Sequence, residues 1–231
     1  MIFLDNLSTI DRGAIIAYMI ASMLEQDTFL ASVRNYLRVN AYSNANTDDL
    51  WTQMELGAQA SGFFGNMTSL SIEDIMDPWL KLPGYPIVSI TRDYTTGKVT
   101  AIQRTIACLE DDTCRLAAPP NLWHIWMSYY SPVAGVSGAQ MLLPLASQEL
   151  EVPLAAKDEA LICNRGQQGY FRVRYDTSNI LKVAELLLHN HTIFDATERA
   201  QLIMDASPIP GLIKPGIDAL PNTKRNAPRV P

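Results

Sequence analysis

The sequence contains few of the side chains that bind metal ions. Its 231 residues include three histidines and three cysteines. Among His124, His189 and His191 no two are four residues apart, which is the spacing of the histidines in the zinc-binding sequence H-E-x-x-H. Since a zinc site needs three or four ligands that converge on the ion, we expect no metal site in this chain. His124, between two large apolar residues of a predicted strand, is expected to be a packed or surface histidine.

Basic residues and long apolar segments are also scarce. The 18 lysines and arginines are outnumbered by 24 aspartates and glutamates, which gives a net charge of -6. Because the basic residues are scattered, they form no stripe along a phosphate backbone, and nucleic acid is not an expected partner. The most apolar segment, residues 13–24, is shorter than the roughly 18 to 20 residues that a membrane span needs. Residues 1–5 show no signal-peptide pattern, so the sequence predicts a soluble chain without a membrane span.

Three N-x-S/T sequons are the main sign of a secreted protein. They make Asn6, Asn66 and Asn190 candidate N-glycosylation sites. Such sequons also occur by chance, so they favour an extracellular glycoprotein only weakly.

The three cysteines have different expected roles. Cys108 and Cys114 are six residues apart, a spacing that could close a hairpin loop with a disulfide; the alternative is a pair of unconnected reduced thiols. Cys163 follows an apolar run and is expected to be a small core residue rather than a reactive thiol.

The first 82 residues have the three-and-four spacing of apolar residues that is typical of amphipathic helices. The pattern predicts four helices, the second of which ends near Asn40. Glycine-rich residues 57–71 predict a loop before the last of them, and Pro83 with Gly84 ends that last helix. Side chains that cap free helix amides predict the starts of the first, third and fourth helices at Ser8, Thr47 and Ser71.

From residue 87 the apolar period changes to two, which predicts strands. Residues 87–90 and 99–106 form a hairpin pattern whose turn contains Gly97. Further strand candidates, bounded by turn residues, are residues 122–130, 140–145, 161–163 and 170–175. Six or so short strands of this kind suggest a small antiparallel β-sandwich. Two helices follow after Asp176, and proline-rich residues 207–231 predict a disordered or extended tail.

Five segments contain more specific sequence motifs. They are residues 11–14 (DRGA), 42–51 (YSNANTDDLW), 72–88 (a helix followed by GYP and a strand), 169–176 (GYFRVRYD) and 199–206 (RAQLIMDA). In this order they resemble segments of zinc metallopeptidases of the aminopeptidase N type, also called membrane alanyl aminopeptidases or gluzincins. The resemblance covers the part of those enzymes from the end of the catalytic domain onward.

The resemblance implies a mixed α+β fold in four parts. Residues 1–82 would be the last helices of a thermolysin-like catalytic domain, and residues 84–176 a β-sandwich domain. Residues 177–206 would be the first helices of a C-terminal helical domain, and residues 207–231 the tail. Members of the family lie outside the cell or on its surface, and they use zinc to remove N-terminal amino acids from peptides.

The catalytic parts of that family are missing from this sequence. H-E-x-x-H is absent, so the zinc motif would lie upstream of these residues. The family also has a tyrosine directly before x-K-G-A, whose hydroxyl would stabilise the oxyanion of the reaction intermediate. Ile10 occupies that position here, and Ile10 has no hydrogen-bond donor. No residue of this chain is therefore expected to be catalytic or to bind metal.

These observations predict a truncated or degenerate member of the family that does not hydrolyse peptides as this chain. Two alternatives stay open. Ile10 favours a non-catalytic paralogue that keeps the scaffold as a peptide-binding or interaction module. The absence of H-E-x-x-H favours an incomplete sequence of an active enzyme, in which case the whole protein would be an aminopeptidase.

Overall fold

The structure, a computed structural model, describes residues 9–65, 67, 69–105, 122–145, 147–150, 152 and 159–207, with only the backbone at 9–11. The predicted disulfide between Cys108 and Cys114 lies outside the described residues, as do the sequon asparagines Asn6 and Asn66. The predicted tail beyond residue 207 also lies outside them.

Four helices open the chain, as the apolar spacing predicts. They are α1 (Thr9–Leu24), α2 (Gln26–Val39), α3 (Thr47–Ser61) and α4 (Ile72–Lys81). No single helix in the described part of the chain is long and apolar enough to cross a bilayer. The bent pair α1 and α2, which meet at 120°, would reach that length and composition only together.

The start of α3 differs by one residue from the prediction. Asn46, not Thr47, is the N-cap, because its extended backbone lets Oδ1 accept a hydrogen bond from the Asp49 nitrogen at 3.0 Å. The Asp49 carboxylate in turn accepts from the Asn46 nitrogen at 2.8 Å, which completes a capping box. The predicted cap of α4 is confirmed, since Ser71 makes the same reciprocal bonds with Asp74.

Gly57 lies inside α3, so the predicted loop from residue 57 begins too early. A Cβ atom at Gly57 would lie 2.1 Å from the Ser32 hydroxyl oxygen on α2. The glycine is therefore a close-packing residue between two helices and not a turn residue. The helix ends instead at Gly62, which has the left-handed φ of 74° that glycine adopts most readily.

In the part of the chain that the structure describes, seven strands form two sheets. They are β1 (Pro86–Arg92), β2 (Val99–Thr105), β3 (Ile125–Ser131), β4 (Val136–Leu142), β5 (Ser147–Leu150), β6 (Ile162–Cys163) and β7 (Arg172–Tyr175). One sheet has the order β5-β2-β1-β7 and the other the order β4-β3-β6. The fold class of helices, then mainly antiparallel sheets, then helices is confirmed.

Two features of the sheets differ from the prediction. The pair β1 and β7 is parallel, with Ile87 opposite Arg172 and Ile90 opposite Tyr175. The chain reaches β7 only after passing through the second sheet, so it can enter the edge in the direction of β1. Strand β5 was not predicted because its sequence, SQEL, is short and polar, as suits an edge strand. The predicted turn between β1 and β2 is confirmed, with Gly97 at φ 82°.

The first four helices and both sheets contribute to one hydrophobic cluster. Trp79 of α4 and Trp123, just before β3, are both fully buried, with ring centroids 5.9 Å apart. The Trp79 indole nitrogen donates to the His124 carbonyl, and that of Trp123 donates to the Pro78 carbonyl, each at 3.1 Å. The helices and the sheets are thus joined across residues 82–84, and the predicted domain boundary there stays a prediction.

Two more helices follow the sheets, as predicted. They are α5 (Thr177–Asn190) and α6 (Ala196–Ala206). Asp176 caps α5, since its side chain accepts from the Asn179 nitrogen at 2.8 Å. A second, smaller hydrophobic cluster of four buried residues holds them to β6: Ala160, Ile162, Val183 and Phe194.

Candidate functional site

The first turn of α1 is the place where the sequence predicted a catalytic position. Ile10 lies in that turn, two residues before Arg12. The Arg12 Nη2 atom donates to the carbonyls of Leu82 and Gly84, each at 3.2 Å. The turn between α4 and β1 is therefore attached to the start of α1, although about seventy residues separate them in sequence.

The segment before β7 also contacts the start of α1. The Arg12 guanidinium carbon lies 6.0 Å from the centre of the Tyr170 ring. That ring packs at 5.4 Å on Tyr85, and the Tyr170 nitrogen lies 3.3 Å from the Met19 sulfur. Three of the five distinctive segments (DRGA, GYP and GYFRVRYD) thus meet in one junction. We call the contacts among Arg12, Gly84, Tyr85 and Tyr170 the Arg12 junction.

The segment RAQLIMDA in α6 makes a second junction with the sheets. The Gln201 amide nitrogen donates to the Cys163 carbonyl at 2.9 Å, and Asp205 Oδ1 accepts from the Val173 nitrogen at 3.2 Å. Between these strands the chain turns at Asn164, whose φ is 57°. The Asn164 side chain bonds the main chain of residues 169 and 171 and holds this turn closed.

Burial controls the ionisation of the side chains around α6. It raises the pKa of Asp205 to about 7, although hydrogen bonds from Val173 and Gln201 and the nearby Arg172 act in the opposite direction. Burial likewise raises the pKa of the Cys163 thiol, which is fully buried. The expectation that Cys163 is a core residue is confirmed, because a buried neutral thiol is a poor nucleophile.

Two small cavities lie beside these junctions. One, of about 50 Å³, separates α1 from the turn at Asn164 and from α6, and it has room for a few water molecules. The other, of about 10 Å³, lies between α1, α4 and the start of β3, with Met19, Met23, Met76 and His124 in its wall. Both are far smaller than the pockets that typically bind small molecules.

The histidines do not converge. His124 is partly buried before β3, and burial lowers its pKa. His189 is exposed near the end of α5, 4.0 Å from Glu185, and His191 lies in the next turn. Within the described residues, no group of three or more histidine, cysteine or acidic side chains is placed to hold a metal ion. The residues that the structure describes therefore do not fit a zinc ion.

Comparison with known proteins gives the same family as the five segments. A model of the Peptidase family M1 domain matches residues 5–79. The thyrotropin-releasing hormone-degrading ectoenzyme of Homo sapiens is 28% identical over 206 residues, covering 84% of this chain and 18% of that protein. Aminopeptidase N of Canis lupus familiaris is 29% identical over 200 residues, covering 84% and 19% respectively. The membrane alanyl aminopeptidase of Manduca sexta is 27% identical over 202 residues, covering 85% and 20%.

The chain is similar to the aminopeptidase N-like family. It spans about a fifth of the length of the relatives it matches. In this aminopeptidase N-like chain the matched domain covers α1 to α4 and includes Ile10 and Arg12. Four of the five segments that the sequence identified one by one are here brought together in two packed junctions. Sequence reasoning missed that convergence, although the presence of all five segments in one chain was a signal for it.

Proposed function

We propose that this chain is a truncated or degenerate aminopeptidase N-like protein that does not itself release N-terminal amino acids. Ile10 is the observation that carries the proposal. It occupies the position of the family's oxyanion-stabilising tyrosine, in the first turn of a helix that is otherwise family-like. The sequence of 231 residues also contains no H-E-x-x-H.

The chemistry of the side chain supports this. A hydroxyl directed at the oxyanion of a tetrahedral intermediate stabilises the transition state more than the ground state. Removing one such donor lowers kcat by about 100-fold to 1,000-fold. Isoleucine has no donor to offer at position 10.

The Arg12 junction supports the assignment of position 10. Arg12 is held against the α4–β1 turn by two hydrogen bonds, which fixes the rotation of α1 about its axis. With 3.6 residues per turn, a hydroxyl supplied from Thr9 instead would be displaced by about 100° around the helix. Tyr18 does not replace it, because its position is two turns further along α1 and about half of its surface is exposed.

A direct assay tests the proposal. The purified chain, with and without added zinc, is incubated with fluorogenic aminoacyl amides and short peptides. We expect release no faster than from a heat-denatured sample, and less than one zinc ion per chain by elemental analysis. Chelator-sensitive release of N-terminal amino acids would overturn the proposal.

A second candidate is a peptide-binding or interaction module. The observation that favours it is that both junctions are intact in a chain with Ile10 at the catalytic position. Scaffold contacts of this kind keep a surface in shape whether or not chemistry occurs on it. Saturable binding of short peptides, measured by tryptophan fluorescence and absent from a denatured sample, would support this candidate. It would disfavour a truncated or degenerate protein that has no binding role.

A further inference from the structure

The corner between α5 and α6 presents an asparagine to solvent. Helix α5 ends at Asn190, and a short 3-10 turn, His191–Ile193, connects it to the start of α6. Residues 188–192 are all exposed, with Leu188 exposed to 88%. Asn190 begins the sequon Asn190-His191-Thr192.

The sequon is folded into a defined turn. The Asn190 backbone is extended, with φ −157° and ψ 91°, so it leaves the helical direction. Its Oδ1 atom accepts from the Thr192 nitrogen at 3.1 Å and from the Thr192 hydroxyl at 2.6 Å. Both bonds use the carbonyl oxygen of the side-chain amide. Asn190 is exposed, and within the described residues no hydrogen bond uses its amide nitrogen Nδ2.

Two residues that follow the turn, Phe194 and Arg199, hold it in place. The Arg199 Nη1 atom donates to the His191 carbonyl at 3.3 Å, and Phe194, which follows the turn, is fully buried. The exposed sequon is thus a stable corner of the fold rather than an end that must unfold to be reached.

We propose that Asn190 is an N-glycosylation site of this chain. The hydroxyl of Thr192 holds the side-chain carbonyl, which turns Nδ2 outward as the acceptor atom. Nδ2 forms a bond to the anomeric carbon of an oligosaccharide, and the bond from that carbon to its lipid-linked diphosphate breaks. The diphosphate leaves, and the Nδ2 proton passes to a base of the transferase.

The proposal also defines the environment of this corner. An oligosaccharide at Asn190 needs solvent around it, so residues 188–192 cannot lie in a contact with another part of a longer protein or with a partner. The proposal of glycosylation at Asn190 holds whether or not the chain is catalytic, and its test does not depend on the activity assay.

The experiment is translation of the full chain, behind a secretory leader and with a reporter sequon added after Pro231, in the presence of microsomal membranes. We expect Asn190 to carry a glycan by mass spectrometry after enzymatic deglycosylation, and N190Q to lose one glycan. An occupied reporter together with an unmodified Asn190 would overturn the proposal. An unchanged number of glycans in N190Q would do so as well.

Three variants separate the role of the hydroxyl from that of the turn. Thr192→Val keeps the shape of threonine without its hydroxyl, and we expect loss of the Asn190 glycan. Thr192→Ser keeps a hydroxyl, and His191→Ala changes only the middle residue, so both are expected to remain glycosylated. Full modification of Thr192→Val would show that the observed hydrogen bond is not needed.

Discussion

Asp205 Oδ1 accepts a hydrogen bond from the main-chain nitrogen of Val173 at 3.2 Å, so the last turn of α6 covers the edge strand β7. Asp205 is partly exposed as a residue, and burial raises the pKa of its carboxyl to about 7. A family-like residue that looks acidic in the sequence is therefore a neutral edge-strand partner at moderately acidic pH.

The first prediction concerns pH and Asp205. Below about pH 4 the carboxyl is protonated in both the folded and the unfolded chain. Between about pH 4 and 7 the unfolded chain releases this proton while the folded chain keeps it, so the free energy of unfolding falls as pH rises. The fall from this group is at most about 4 kcal/mol and levels off above pH 7.

Asp205→Asn tests this, because the amide keeps the acceptor for Val173 and never ionises. Urea unfolding followed by tryptophan fluorescence should show that D205N gains stability relative to the original chain as pH rises from 4 to 8. Asp93→Asn is the control of opposite sign, because hydrogen bonds from Thr96 and Thr95 lower the pKa of exposed Asp93. D93N should lose stability relative to the original chain as pH rises toward about 4, below the range in which D205N differs. Equal pH profiles for D205N and the original chain between pH 4 and 8 would refute the prediction.

The second prediction concerns Gly57 and its contact with Ser32. Alanine is a better helix former than glycine by about 1 kcal/mol, but a Cβ at position 57 would lie 2.1 Å from the Ser32 hydroxyl oxygen. We expect Gly57→Ala to destabilise the chain by about 1 to 3 kcal/mol through overpacking. In the Ser32→Ala background the nearest contact at that site is removed, and the same change should be neutral or stabilising.

Gly13 provides the matched control, since it also lies inside a helix and a Cβ there would meet no atom within 4 Å. Gly13→Ala should stabilise the chain by about 0.5 to 1 kcal/mol. A double-mutant cycle for positions 32 and 57 that shows no coupling would contradict the packing argument.

The third prediction concerns the Arg12 junction. Arg12→Ala removes two hydrogen bonds to the turn between α4 and β1, together with the contact to Tyr170. We expect a loss of about 1 to 3 kcal/mol in the free energy of unfolding. Arg38→Ala, which removes only an exposed bond to Asn35, should change it by less than about 0.5 kcal/mol. A similar small effect of both substitutions would show that the junction is not important for stability.

The fourth prediction concerns Ile10 in an active setting. The chain would replace the matching segment of dog aminopeptidase N, which supplies the remaining residues of a full-length protein. Ile10→Tyr should raise kcat of this chimera by about 100-fold to 1,000-fold with little change in KM. Ile10→Phe adds the ring without the hydroxyl and should give no such gain. A chimera that is fully active with Ile10, and unchanged by I10Y, would show that another residue supplies the donor.

Local signals predicted local structure well. The capping box at Ser71 and Asp74, the four amphipathic helices and the glycine turn at Gly97 all follow from short-range patterns. The sequence did not show that Gly57 is needed for packing, because its reason lies in Ser32 on another helix. The parallel approach of β7 to β1 depends on the path of the chain through a second sheet, which no local pattern records.

The candidate site was predictable only as separate pieces. The sequence placed Ile10 at the family's catalytic position, but nothing near Arg12 indicates that it bonds carbonyls about seventy residues away. The roles of Gln201 and Asp205 were hidden for the same reason, since their partners are main-chain atoms of β6 and β7. Almost every residue type offers the same main-chain donor and acceptor. A main-chain partner therefore cannot be identified from the pattern of residue types.

The hydrogen bonds of the Trp79 and Trp123 indoles limit the order in which the chain can fold during its synthesis at the ribosome. Each ring nitrogen donates to a carbonyl 45 positions away along the chain, one forward to His124 and one back to Pro78. Trp79 therefore emerges from the ribosome before its acceptor does, and this hydrogen bond cannot form until residue 124 has also emerged. Helix α4 can form early, but it can reach its final buried position only after residues 123 and 124 have emerged, so a nascent chain paused before that point would expose Trp79 to chaperones.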